Sequence, residues 1–178
     1  MANRDLVHRK DSVALLWLIP IFFTIHNLEE GLTFSRYMNA LLARLPVFMQ
    51  SLIPAITFEQ FKIALISITV LAYVFILVYQ FSHQKRPPLL LLLGTQMVVL
   101  INVFSHIGMA VLMRGYALGV VTALLVNLPF SIYLFRRALQ EEWITQRNLV
   151  VLFLVGLVLH GPGLIALLRV SGWIAGVL

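Results

Sequence analysis

Along this chain, long apolar runs alternate with short polar breaks, and the runs are longer than a soluble core helix requires. A helix needs about 20 predominantly apolar residues to cross a hydrocarbon layer about 30 Å thick. Five runs approach that length. They cover Val13–Glu30, Phe61–Ser82, Leu89–Met113, Tyr116–Phe135 and Asn148–Leu168. The breaks carry turn chemistry: His83-Gln84-Lys85-Arg86-Pro87-Pro88, then Arg114-Gly115, then a charged connection from Arg136 to Arg147. Pro20 predicts a kink in the first run, and Gly161-Pro162-Gly163 interrupts the fifth. The stretch Gly31–Arg44 mixes polar and apolar residues and reads as an interfacial or re-entrant segment, extended by Pro46–Pro54. The tail Arg169–Leu178 is too short to span. The pattern predicts an all-α, polytopic transmembrane helical bundle, with residues 1–178 forming a single integral membrane domain.

Composition agrees. Hydrophobic residues make up 61% and charged residues 11% of the chain. A soluble domain averages about 45–50% and about 25%, so a water-soluble globule is excluded in favour of a lipid bilayer as the main partner. Without cysteine, disulfides, thiolate metal ligands and thiol nucleophiles are all ruled out. The charged N-terminal stretch followed by an apolar run resembles a signal peptide, but no small-residue cleavage site follows, so the run reads as a retained span.

The net charge of +6 belongs to loops rather than to a nucleic-acid surface. With five spans, eight basic residues fall on the N-terminal side: Arg4, Arg9, Lys10, Lys85, Arg86, Arg136, Arg137 and Arg147. Five fall on the other: Arg36, Arg44, Lys62, Arg114 and Arg169. The excess predicts a multi-pass protein of the cytoplasmic membrane with its N-terminus in the cytoplasm.

Ionisable residues inside spans cost a few kcal/mol each on insertion scales, so they are read as functional by default. The polar set is small: His26, Glu29, Glu30, Asn102, His106, Asn127 and His160, with Glu59 at the entry to the second span. At 1.5 Å per residue, His26 and Glu30 lie roughly 20 and 25 Å from the start of their run, His106 about 25 Å and His160 about 18 Å along theirs. Those three runs share a direction, so the residues fall in one slab in the outer part of the membrane. Glu59 approaches the same level. His26 shares a helix face with Glu29 at i+3 and Glu30 at i+4, and Asn102 shares one with His106.

An imidazole with two carboxylates at this spacing suits a divalent cation, zinc or iron. His26, His106 and one of the two glutamates serve as ligands, with His160 as an additional one. Glu29 is assigned as ligand, and Glu30, stacked over His26, as general base toward a water that the cation acidifies. Asn102 and Asn127 read as substrate-binding or ligand-orienting groups, or as hydrogen-bonding links between helices.

His26-Asn27-Leu28-Glu29-Glu30 spells H-x-x-E-E at the end of the first span. With Trp17-Leu18-Ile19-Pro20 before it, Asn102 and His106 in a later span, and Gly115-Tyr116, Gly119 and Thr122-Ala123 beyond, the chain resembles the HXXEE-domain family of small membrane proteins. That resemblance implies a membrane protein and leaves the reaction open. A second similarity is to membrane-embedded glutamate proteases, which also carry a Glu-Glu pair. Here Phe34 stands where their arginine is expected, and Asn102-x-x-x-His106 reverses their order of histidine and asparagine. The residues together predict an intramembrane metal-dependent hydrolase acting on a lipid or hydrophobic small molecule. The alternatives are a proton- or ion-coupled carrier, or a bundle whose polar residues only lock its helices.

Overall fold

The five runs become five long helices in the computed structural model, which describes residues 2–44, 47 and 56–177, with side chains from 13 to 176. They are α1 (Ala2–Leu42), α2 (Phe58–Phe81), α3 (Arg86–Met113), α4 (Val120–Gln140) and α5 (Gln146–Gly176). All five are long and apolar enough to cross a membrane, and the described residues contain no strand.

Boundaries differ from the sequence reading in four places. The segment expected to lie apart after the first span is instead the last part of α1, which runs on through Gly31 to Leu42. Its buried stripe explains the continuity. Phe34 and Leu41 extend the line of Leu16, Ile19 and Phe23, and Phe34 stacks on Phe61 of α2 at 4.5 Å. The proposed extension over 46–54 lies, apart from Val47, outside the described residues. Helix α4 begins at Val120 rather than Tyr116 and absorbs Arg136 and Arg137, so the connection to α5 is short. The tail after Leu168 is a continuation of α5, not a separate piece.

Two prolines fall where the helices widen. Ala123–Asn127 forms a π-helical turn just before Pro129, and Leu159–Gly163 forms another around Pro162. Proline cannot donate to the carbonyl one turn back and its ring clashes with that group, and a π turn moves the carbonyl aside. Pro20, by contrast, sits inside α1 without interrupting it, and the carbonyl of Pro20 accepts a 2.7 Å hydrogen bond from the Thr24 hydroxyl.

Helix α3 is the centre of the bundle and packs on the other four. Leu16, Ile19, Ile76, Leu92, Leu93 and Leu134 form its dry core. Polar side chains join helices within it: Asn27 to Thr69 at 2.7 Å, Gln96 to Ser131 at 2.7 Å, and Gln60 to the Leu168 carbonyl at 2.5 Å. The outer faces of α2 and α5 expose rows of large aliphatics, including Val70, Leu71 and Val74, and Leu154, Leu157 and Val158. A soluble monomer does not tolerate apolar patches of this extent, and lipid is their natural solvent.

Gly156 lets α5 approach α3 closely. A Cβ there would meet Ile101 at 2.7 Å and Met97 at 3.2 Å. Gly156→Leu is therefore expected to destabilise the bundle by about 1–3 kcal/mol, as overpacking does. Thermal unfolding in detergent checks this, and an unchanged transition would contradict the close packing.

Candidate metal centre

The buried stripe of α1 turns polar in its second half. Leu16, Ile19 and Phe23 are followed at helical spacing by His26 and Glu30, both still facing α3. From α3, Asn102 and His106 project one turn apart toward the same point. His26 and His106 are each 1% exposed, and Glu30 is 8% exposed.

Three ligand atoms converge there. His106 Nε2 lies 3.0 Å from Glu30 Oε1 and 3.1 Å from His26 Nε2. His26 Nε2 lies 3.5 Å from Glu30 Oε1. Among the described residues, His26, Glu30 and His106 form a group whose ligand atoms could hold one ion. Asn102 Nδ2 stands against both imidazoles, 3.0 Å from His26 Nε2 and 2.8 Å from His106 Nε2.

Glu29 goes elsewhere. About 100° round the helix from Glu30, it faces the first turn of α4. Its Oε1 accepts from the Tyr116 hydroxyl at 2.7 Å and from Val121 N–H at 3.2 Å. Its Oε2 accepts from Thr122 N–H at 2.7 Å and from the Thr122 hydroxyl at 2.5 Å. Burial and the bond to Glu29 push the Tyr116 phenol above its ordinary value, which keeps it a donor. The N-cap of α4 is Gly119, which has no side chain to cap the free N–H groups. Glu29 supplies that cap from α1, and its charge suits the positive end of the helix dipole.

The capping bond also fixes a tautomer. The Thr122 hydroxyl donates to Glu29, so its oxygen accepts from His26 Nδ1–H at 2.8 Å. His26 Nε2 is then left with a lone pair directed at Glu30 and His106. A carboxylate holding the far side of a histidine through a hydrogen bond is the usual support of a metal-ligating imidazole.

Gly119 closes the cluster from above. Its φ is +70°, and a Cβ would lie 2.8 Å from His106 Cε1, 2.9 Å from Glu30 Cγ and 3.0 Å from His26 Cε1. Only glycine combines that backbone with that proximity.

The remaining predicted residues are dispersed. His160 lies on the π turn of α5 and pairs with Ser105 Oγ at 2.8 Å, on the flank of α3 beside His106. Asn127 is buried in α4, and neither its Oδ1 nor its Nδ2 has a hydrogen-bond partner; His106 Nδ1 is likewise unpartnered. Glu59 is exposed and pairs with Lys62 at 2.6 Å, away from the cluster. Glu141 pairs with Arg137 at 2.7 Å at the opposite end of α4.

Thr122, Tyr116 and Gly119 entered the sequence reading only as part of the resemblance, with no role. The available signal was a glycine three residues before a threonine at the start of an apolar run, the pattern of a helix start without a side-chain cap.

Comparison with known proteins agrees with the motif. The family described as "Protein of unknown function with HXXEE motif" matches residues 17–134. A relative from Bacillus subtilis (strain 168), "Uncharacterized protein YrkK", is 25% identical over 138 residues, covering 76% of this chain and 82% of its own length. No solved structure matches.

Proposed function

We propose, for a chain that belongs to the HXXEE family and builds its buried cluster from that motif, an intramembrane metal-dependent hydrolase acting on a lipid or hydrophobic small molecule. One observation carries the reading: His26 Nε2, His106 Nε2 and Glu30 Oε1 are separated by 3.0–3.5 Å. Ligands about 2.0–2.2 Å from one divalent ion in tetrahedral array are separated by about 3.3–3.6 Å, and by about 3 Å in octahedral array. Two histidines and one carboxylate are a ligand set of catalytic zinc and of non-haem iron. An ion held there supplies Lewis acidity, polarising a carbonyl or phosphoryl oxygen and acidifying water.

The residues then divide their work. His26, His106 and Glu30 hold the ion. Glu29 serves through Thr122, holding His26 in the ligating tautomer and anchoring the start of α4. Because Glu29 is committed to four hydrogen bonds, we assign the ligand role expected of it to Glu30, in place of the general-base role expected of Glu30. Proton transfer falls to His160, whose Nε2 pairs with Ser105 Oγ at 2.8 Å on the flank of α3 next to His106. Exposed apolar side chains of α3 and α4, among them Phe104, Val121 and Leu125, suit a substrate that arrives through the lipid, and the loop-charge bias supports an outer-side location for this half of the bundle.

The protein in detergent, loaded with one ion per chain, is expected to hydrolyse a member of a panel of lipid esters, amides and phosphoesters. Turnover should stop on chelation and return with metal. Absence of metal-dependent turnover from fully loaded protein would overturn the hydrolase reading. A carrier reading draws on a different observation, the hydrogen-bonded run from Tyr116 through Glu29, Thr122 and His26 to Asn102. It calls for chelator-insensitive proton flux in vesicles.

Thr122→Val keeps the shape of the side chain and removes the hydroxyl. It is expected to weaken metal binding about 10–100-fold, the usual worth of such a supporting bond, whereas Thr122→Ser retains affinity. Competition with a chromophoric chelator reads the difference. Equal affinities for Thr122→Val and the parent would contradict the relay.

A further inference from the structure

A fourth group completes the cluster. The outer atom of the Asn102 amide is 3.0 Å from His26 Nε2 and 2.8 Å from His106 Nε2. Five of the six separations among the four atoms run from 2.8 to 3.5 Å, the spacing that a tetrahedral array of ligands requires. A regular tetrahedron with edges of about 3.3 Å has its centre about 2 Å from each corner, the length of a zinc–nitrogen or zinc–oxygen bond. Two residues one turn apart on α1 and two residues one turn apart on α3 supply the corners, and Gly119 seals one side.

Proton counting shows what the fourth corner contributes. The Thr122 relay leaves His26 Nε2 as a lone pair. With Glu30 ionised, as a metal ligand must be, a lone pair on His106 Nε2 faces the carboxylate at 3.0 Å, acceptor against acceptor. If that nitrogen is protonated, it faces the Asn102 N–H at 2.8 Å, donor against donor. Either arrangement sets like against like at hydrogen-bond distance, where burial makes the conflict costly. The oxygen and nitrogen of an asparagine amide exchange places on a half-turn, and only their partners decide which faces where. With the oxygen inward, all four corners are lone-pair donors, and one cation at the centre reconciles them.

We infer that Asn102 is the fourth ligand of a His26–Glu30–Asn102–His106 site, binding a borderline divalent cation such as zinc, iron, manganese or cobalt through its amide oxygen. Two nitrogens and two oxygens without sulfur exclude a preference for copper(I). A neutral amide is the weakest of the four donors, so its corner is the one at which an incoming substrate oxygen displaces protein. This inference rests on the metal reading above and adds the coordination and its exchangeable position.

Cobalt(II) chloride is the probe, added to full-length metal-depleted protein in detergent, because four-coordinate cobalt absorbs visible light far more strongly than six-coordinate cobalt. The parent should give the intense four-coordinate spectrum. Asn102→Ala should lower that intensity as solvent enters and weaken cobalt binding by at least about 10-fold, the lower bound for losing even a supporting partner. Asn102→Asp should keep the intense spectrum and bind more tightly, which separates loss of a ligand from failure to fold. If the parent binds cobalt and Asn102→Ala gives the same spectrum and affinity, Asn102 is not a ligand and the three-residue site stands. If the parent binds no cobalt, the metal reading itself fails, and this inference with it.

Discussion

Replacing Gly119 with alanine is expected to abolish metal binding and lower the unfolding temperature together. Two costs combine. An L-residue in the left-handed region costs about 1–2 kcal/mol. The added methyl would sit within 3.0 Å of His106, Glu30 and His26, and forcing such a contact costs about 1–3 kcal/mol more. All three neighbours are the side chains proposed as ligands, so relief of the clash moves the very atoms that would hold the ion. Gly115 is the control. It lies in the same connection, has no positive φ, and a Cβ there meets nothing within 4 Å. Gly115→Ala should leave both metal content and stability unchanged. If Gly119→Ala retains metal and parental stability, the connection does not seal the cluster as described.

The two adjacent glutamates are expected to fail in different ways. Glu30→Gln removes the only carboxylate among the converging ligand atoms, so metal is lost. Its surroundings stay hydrogen-bonded by an amide of the same shape, and the unfolding temperature falls little. Glu29→Gln leaves the three ligands in place but sets an amide N–H against the donors of Tyr116, Val121 and Thr122. An unsatisfied donor costs about 1–3 kcal/mol, so the start of α4 is destabilised. Metal binding weakens about 10–100-fold through the loss of the Thr122–His26 support. Metal titration with parallel thermal melts separates the two. The opposite pattern, metal lost in Glu29→Gln and kept in Glu30→Gln, would restore Glu29 as the ligand.

How much of this the sequence carries depends on which interactions are local. The five apolar runs are legible because lipid demands long uninterrupted helices, and the grouping of His26 with Glu30 follows from i, i+4 spacing. That His106 meets them follows from depth, since two helices running in the same direction place equal counts of residues at equal levels. The fate of Glu29 is not local. It depends on where α4 begins, and the break at Gly119 lies inside a run that is continuously apolar by composition. Depth also places Glu59 near the cluster level, but depth says nothing about rotation round the helix, and Glu59 pairs with its own neighbour Lys62. His160 likewise reaches the flank of α3 and finds Ser105, outside the group formed by His26, Glu30 and His106. The continuation of α1 past Gly31 was hidden because its mixed polarity reflects packing of Phe34 and Leu41 on one side only.

The central claim is that the H-x-x-E-E helix and α3 together hold one divalent ion inside the membrane. Elemental mass spectrometry of the full-length protein, purified in detergent without chelator from metal-supplemented cells, tests it most directly. The expected result is close to one zinc, iron or manganese ion per chain in the parent, and background metal in a His106→Ala variant that still unfolds cooperatively. Background metal in the parent, or equal metal in parent and variant, would contradict it.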